Sequence, residues 1–148
     1  MGSRVVEISA ADTHQLRRRV LRGDLADAVV VFDGDELDAT FHLGVTDDDG
    51  TLIAVATWLP RAYPDRPGEA GFQLRGMATA PEHQGAGAGA TLLASGIERC
   101  RQRGAALVWA RARDTALDFY TRHGFEVVGL GYVDLATGLP HHDVIRDL

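Results

Sequence analysis

The chain contains no lysine, so all 15 of its Lys/Arg residues are arginine. That alone excludes the phosphate loop of P-loop nucleotide hydrolases, which requires Gly-Lys-Ser/Thr. Cysteine is nearly absent as well: Cys100 stands alone, so no internal disulfide can form, a usage that fits a reducing compartment. Long hydrophobic runs are missing, and no apolar stretch approaches the ~20 residues needed to cross a bilayer. The opening Met1-Gly2-Ser3-Arg4 has no signal-peptide core, so a cytoplasmic location is expected. Only His141 and His142 among the six histidines are adjacent, and no spacing resembles a zinc site. No metal is expected. Excess positive charge is also lacking: a net charge of −6 makes nucleic acid a poor partner and leans weakly toward a cationic ligand such as an amine. Repeats, linkers and low-complexity tracts are absent. What remains, 148 residues of which 45% are hydrophobic and 24% charged, describes one domain, 1–148, able to bury a sizeable core.

The most informative feature present is a run of small residues, Gln84-Gly85-Ala86-Gly87-Ala88-Gly89-Ala90. Behind it, Leu92, Leu93, Gly96, Ile97 and Cys100 form one helical stripe that ends near Gly104. Glycines at a helix entrance let the backbone approach a ligand closely, and the unpaired N–H groups of the first turn point at it. The helix dipole adds partial positive charge there, so an anion, usually a phosphate, is the natural occupant. Ahead of the run, Phe72 and Leu74 alternate as on a strand, and Met77 breaks the period of two at Gly76. A glycine at such a slip suggests a β-bulge that splays the strand from its neighbour. The dinucleotide fingerprint fits poorly. Six residues, Thr79 to Gln84, separate strand from glycines, and the next strand, Leu107 to Arg113, carries no carboxylate.

Gln84-x-x-Gly87-x-Gly89 matches the pyrophosphate loop Gln/Arg-x-x-Gly-x-Gly/Ala of the GNAT superfamily of acyl-CoA-dependent N-acyltransferases. Phe119-Tyr120-Thr121-Arg122-His123-Gly124-Phe125 resembles that family's second signature, Phe-Tyr-x-x-x-Gly-Phe. A bacterial subgroup of the family also carries Gln-Leu-Arg-Gly-Met-Ala, as in Gln73 to Ala78, and Gly-x-Pro-His, as in Gly138 to His141. The resemblance covers roughly residues 40–148. It implies an α+β (mixed α/β) GNAT-like domain: one mixed sheet of six or seven strands, flanked by helices, with a bulged central strand.

The residues agree with that architecture. Strands are expected over Arg4 to Ile8, near Phe41 to Val45, over Leu52 to Leu59, around Trp109, and over Phe125 to Val133 and His142 to Asp147. Asp12 is placed to cap a helix carrying Leu16 and Val20, stopped by Gly23. Arg17, Arg18, Arg19 and Arg22 read as its solvated face. Asp47-Asp48-Asp49-Gly50 is a hairpin signal, since position twelve of a calcium loop would be Trp58 rather than glutamate. Asp114 is placed to cap a helix in which Ala116, Phe119, Tyr120 and His123 share a face, ending at Gly124. Residues 24–38 carry no readable pattern, and Pro60 to Gly68 reads as a surface loop.

What the resemblance implies chemically is transfer of an acetyl group from acetyl-CoA to a primary amine, on a small molecule or a peptide, by direct attack in a ternary complex. Amides of Gly85, Ala86, Gly87, Ala88, Gly89 and Ala90, with Gln84, would hold the diphosphate. Backbone groups of Met77, Ala78 and Thr79, freed at the bulge, would pair with pantetheine and polarise the thioester carbonyl. Tyr120 occupies the position of the acid that protonates the leaving thiolate. His141 is the candidate base, because imidazole titrates near neutrality and Pro140 fixes the chain before it. His42, Glu69, Glu82 or a water relay remain alternatives for that role. Where many members have asparagine, this chain has Arg111 or Arg113, either of which suits the 3′-phosphate of the cofactor or an anionic substrate. A non-catalytic acyl-CoA-binding sensor is the competing reading. The acceptor and the oligomeric state, a homodimer included, stay open.

Overall fold

The computed structural model describes residues 3–148, so the first two residues of the opening Met1-Gly2-Ser3-Arg4, expected to carry no signal peptide, lie outside it. Seven strands follow the order β1-β2-β3-β4-β5-β7-β6 in one sheet: β1 (Arg4–Ile8), β2 (Phe41–Thr46), β3 (Leu52–Pro60), β4 (Gly71–Thr79), β5 (Leu107–Arg113), β6 (Glu126–Val133) and β7 (Pro140–Asp147). The sheet is mixed. β4 pairs β5 in parallel, whereas β1–β2, β2–β3, β5–β7 and β6–β7 are antiparallel. The three α-helices are α1 (His14–Leu16), α2 (Ala88–Gln102) and α3 (Leu117–Arg122). The chain divides into two compact units: residues up to Pro60 with Leu74–Arg99, and Arg61–Gln73 with Cys100–Leu148. No helix among the described residues is long and apolar enough to cross a membrane.

In the first unit, β2 and β3 are buried on both faces, as expected of interior strands rich in Val, Leu, Ile and Ala. Asp47 closes their hairpin by accepting the N–H groups of Asp49 and Thr51 on Oδ1, and Gly50 supplies the left-handed residue. Trp58 stacks on Phe41 with ring planes 9° apart. α2 seats on that indole because Gly96 has no side chain: a Cβ there would stand 1.9 Å from Trp58 Cζ2. The expected first helix is present from Ala11 to Leu21, with helical backbone at each junction: a tighter 3₁₀ turn Ala11–Thr13, then α1, then a wider π turn Arg17–Leu21. Its start is held by Ser9 and Asp12 reciprocally, the Asp12 N–H donating to Ser9 Oγ and the Ser9 N–H to Asp12 Oδ2, so Asp12 is not the cap by itself. The solvated-face reading fails at Arg17, which is fully buried.

In the second unit, Tyr63, Leu107, Trp109 and Ile145 form a core cluster with Val128 against it. The Trp109 indole N–H donates to Arg61 O at 2.9 Å, tying the proline-rich loop to β5. Asp114 does not cap the helix that follows. No side-chain cap bond forms there, and its carboxylate instead accepts from His142 Nδ1 at 2.6 Å.

Candidate functional site

The entrance of α2 is built from backbone. Gly85 and Gly87 have φ of +86° and +90°, which side chains rarely adopt, and a Cβ on either would meet nothing within 4 Å. Open space therefore lies over the loop. Among the described residues, none of the N–H groups of residues 85–90 donates a hydrogen bond; the first to do so is that of Thr91, to Gly87 O at 3.0 Å. Six unpaired donors at the head of a 15-residue helix form a concavity for an anion. Gln84 reaches back instead, its side-chain amide donating to Thr79 O at 3.1 Å. That carbonyl thus already accepts one hydrogen bond, and the loop N–H groups remain the donors open to a ligand. Such a donor set suits a diphosphate-bearing ligand such as CoA.

Gly76 carries the predicted irregularity, with φ of +65°. The parallel ladder with β5 covers only Gly71, Phe72 and Gln73, although β4 continues to Thr79. Against Gly76 lies a buried polar network of the first unit. A Cβ at Gly76 would sit 3.2 Å from both Arg17 Nε and the Phe32 ring. Arg17 grips Asp35 with both terminal nitrogens, at 2.7 and 3.0 Å, and donates to Val30 O and Thr57 Oγ1. Burial works to raise the Asp35 carboxyl, but hydrogen bonds from Arg17 and the Phe32 N–H outweigh it and hold the group below its ordinary value. His42 completes the network. Its Nε2 faces Asp35 O at 3.0 Å, which requires the proton on Nε2, and its Nδ1 therefore accepts from Thr57 Oγ1 at 2.7 Å. With both ring nitrogens engaged and the residue buried, His42 presents no free nitrogen to a ligand. Glu82 is paired with Arg19, and Glu69 with Arg66 at 2.5 Å; those hydrogen bonds hold both carboxyls below their ordinary value, which weakens them as bases.

Tyr120 and His141 belong to the second unit. Tyr120 is buried edge-on between Phe119 and Phe125, with ring centroids 5.3 and 5.2 Å away, and burial pushes its phenol up to about 12. His141 lies on β7 itself, opposite Arg113 on β5 and Tyr132 on β6. Its Nδ1 faces Leu139 O at 2.9 Å and so carries the proton, which leaves Nε2 as the basic nitrogen of the neutral ring. The ring stacks on Tyr132 at 6.0 Å.

The two side chains stand on opposite sides of this part of the sheet. The segment bearing α3 is fixed to one face, where Arg146 Nη1 donates to His123 O and His142 pairs with Asp114. Alternation along β7 puts His141 and Asp143 on the other face. There Asp143 accepts the hydroxyls of Tyr63 at 2.8 Å and Tyr132 at 2.6 Å. Desolvation comes first among the causes, and the bond to Asp143 second, in pushing the Tyr63 phenol up to about 12 and raising that of Tyr132 as well. Arg111 and Arg113 share this face, Arg111 lying 5.6 Å from the Trp109 ring. The tyrosine–aspartate bridge escaped the sequence reading. The spacing of His141 and Asp143 on one strand was a usable signal, but nothing in the proline-rich loop announced Tyr63. Among the described residues, no group of three or more His, Cys, Asp or Glu is arranged to hold a metal.

Comparison with known proteins gives the same picture. An N-acetyltransferase of Bacillus subtilis (strain 168), YitI, itself uncharacterised, is 33% identical over 125 residues, covering 84% of this chain and 83% of that protein. The crystal structure of a provisionally assigned N-acetyltransferase from Lactobacillus plantarum superposes with a TM-score of 0.81 at 22% identity, covering 100% of this chain and 99% of the other. A chain of the NatC complex bound to Gag peptide and CoA has the same fold, with a TM-score of 0.76 at 13% identity, covering 100% and 99%. Residues 9–125, which span the glycine loop, α2 and the Tyr120 helix, match the description of the Acetyltransferase (GNAT) family, and the chain belongs to that family.

Proposed function

We propose that this GNAT protein is a cytoplasmic, single-domain N-acetyltransferase that moves an acetyl group from acetyl-CoA to a primary amine. Direct attack within a ternary complex is the chemistry that fits its residues, with no metal taking part. Bound acetyl-CoA supplies an activated acyl carbon and a thiolate leaving group. The single observation carrying the reading is the set of unpaired N–H groups at residues 85–90 over open space. They hold the diphosphate, while backbone groups of Met77, Ala78 and Thr79 serve the pantetheine arm and the thioester carbonyl. His141 Nε2 takes the proton of the attacking amine. As the C–S bond breaks, Tyr120 returns a proton to sulfur, so no charge is left on either product. CoA bound by the NatC neighbour supports the choice of cofactor.

Calorimetry with acetyl-CoA and with CoA tests the donor site, and a thiol-release assay over a panel of amines and peptides tests turnover. Saturable binding together with CoA release is the expected result. Absence of binding at millimolar cofactor rejects the reading, and binding without release from any amine leaves an acyl-CoA sensor.

A further inference from the structure

The face that carries His141 also carries two arginines to which the proposed chemistry gives no role. Arg111 and Arg113 lie directly across the β5–β7 ladder from Asp143 and His141. Side chains opposite one another in an antiparallel pair have Cβ atoms roughly 5 Å apart. Arg111 is exposed and Arg113 half-buried, and among the described residues neither side chain forms an ion pair or a hydrogen bond.

The reason is visible in Asp143. Its Oδ2 accepts from Tyr63 and its Oδ1 from Tyr132, so the one carboxylate facing Arg111 is oriented by two phenols rather than by a guanidinium, although it keeps its charge. Arg111 lies by the Trp109 ring instead, close enough for its charge to be felt at both Tyr63 and Tyr132. A protein of net charge −6 thus keeps two guanidiniums without an ion pair beside its candidate base, against the single carboxylate of Asp143 across the ladder. Guanidinium groups prefer a planar, bidentate anion, and a carboxylate matches them.

We propose that the acceptor is an amino-carboxylate, a free amino acid or a close analogue, whose carboxylate docks on Arg111 and Arg113 while its amine faces His141 Nε2. This inference rests on the acetyltransferase reading and deepens it by naming the acceptor class. The neighbouring phenol bridge ties both oxygens of Asp143 to Tyr63 and Tyr132, and no ion pair joins Asp143 to Arg111 among the described residues. Cofactor 3′-phosphate is the other anion these arginines suit. The face they share with His141 assigns them to the acceptor.

The test compares free amino acids, α and ω, with their amides in the thiol-release assay, using the full chain and the variants Arg111→Gln and Arg113→Gln. Wild type should favour the carboxylate form by about 10- to 100-fold in kcat/KM, through the acceptor KM. Each substitution should collapse the ratio of carboxylate to amide turnover toward one without raising the KM for acetyl-CoA. Equal turnover of acids and amides by wild type overturns the proposal. So does a variant whose affinity falls for acetyl-CoA but not for its 3′-dephospho analogue, which would mark a cofactor-phosphate site. If no amine of any kind releases CoA, the acetyltransferase reading has failed, and the anion site is judged by calorimetry with the same amino acids. Binding that Arg111→Gln abolishes supports the site, and no binding to wild type removes it.

Discussion

Tyr120 has lost the aqueous environment of an ordinary phenol. Enclosed by Phe119 and Phe125 and pushed up to about 12, it keeps its proton through the whole working pH range, which suits a donor and forbids a base. Tyr120→Phe is expected to lower kcat by about 10²- to 10⁴-fold while leaving acetyl-CoA affinity nearly intact, as read by steady-state kinetics and calorimetry. Unchanged turnover between pH 6 and 9 would remove it from the mechanism. For His141→Ala, the acidic limb of the rate profile should disappear, and a surviving limb would move the base elsewhere. At this scale the sequence is least explicit. His42 lies between Phe41 and Leu43 and His141 between Pro140 and His142, and neither context states which ring is free. Only hydrogen bonds separate them: both nitrogens of His42 are committed to Thr57 and Asp35, and one of His141 to Leu139. Arg17 is similar, because three consecutive arginines give no hint that one is turned inward onto Asp35.

Elements were far easier to read than contacts. The stripe Leu92, Leu93, Gly96, Ile97, Cys100 defines α2, and the glycines ahead of it have the positive φ that a helix mouth exposing its N–H groups needs. Periodicity could not say why position 96 of that stripe is glycine. The answer is Trp58, whose indole, stacked on Phe41, occupies the space of a side chain. Gly96→Ala should therefore cost about 1–3 kcal/mol through overpacking, despite the higher helix propensity of alanine. Chemical denaturation read at Trp58 and Trp109 would measure the loss, and a more stable variant would show that the ring yields without cost. The first helix was legible too: Leu16 is buried in a core cluster with Val20 packed on it, and the segment ends before Gly23 as expected. What the period did not show is the wider π turn over Arg17–Leu21, where Arg17 is buried.

At the scale of the whole molecule, two polar devices in different units predict how stability responds to pH. Asp35 in the first unit has its carboxyl held below the ordinary value, chiefly against burial and by Arg17. Its contribution is therefore present above the unfolded carboxylate value near ~4 and is lost as pH falls through the lower folded value. Tyr63 and Tyr132 in the second unit are raised by burial and by Asp143. Their contribution is fully present below the ordinary phenol value near ~10 and is lost as pH climbs through the folded values, about 12 for Tyr63. Denaturation midpoints measured from pH 3 to 11 should accordingly fall at both ends. The two limbs should also separate by substitution. Asp35→Asn should flatten the acid limb and leave the alkaline one, because Asp35 plays no part in the phenol bridge. Tyr132→Phe should flatten the alkaline limb and leave the acid one, since removing its hydroxyl takes away the raised phenol and leaves Asp143 bonded to Tyr63. An alkaline limb of unchanged slope in Tyr132→Phe would mean that the bridge to Asp143 contributes nothing to folding, and that the two phenols serve only to keep the carboxylate occupied beside Arg111.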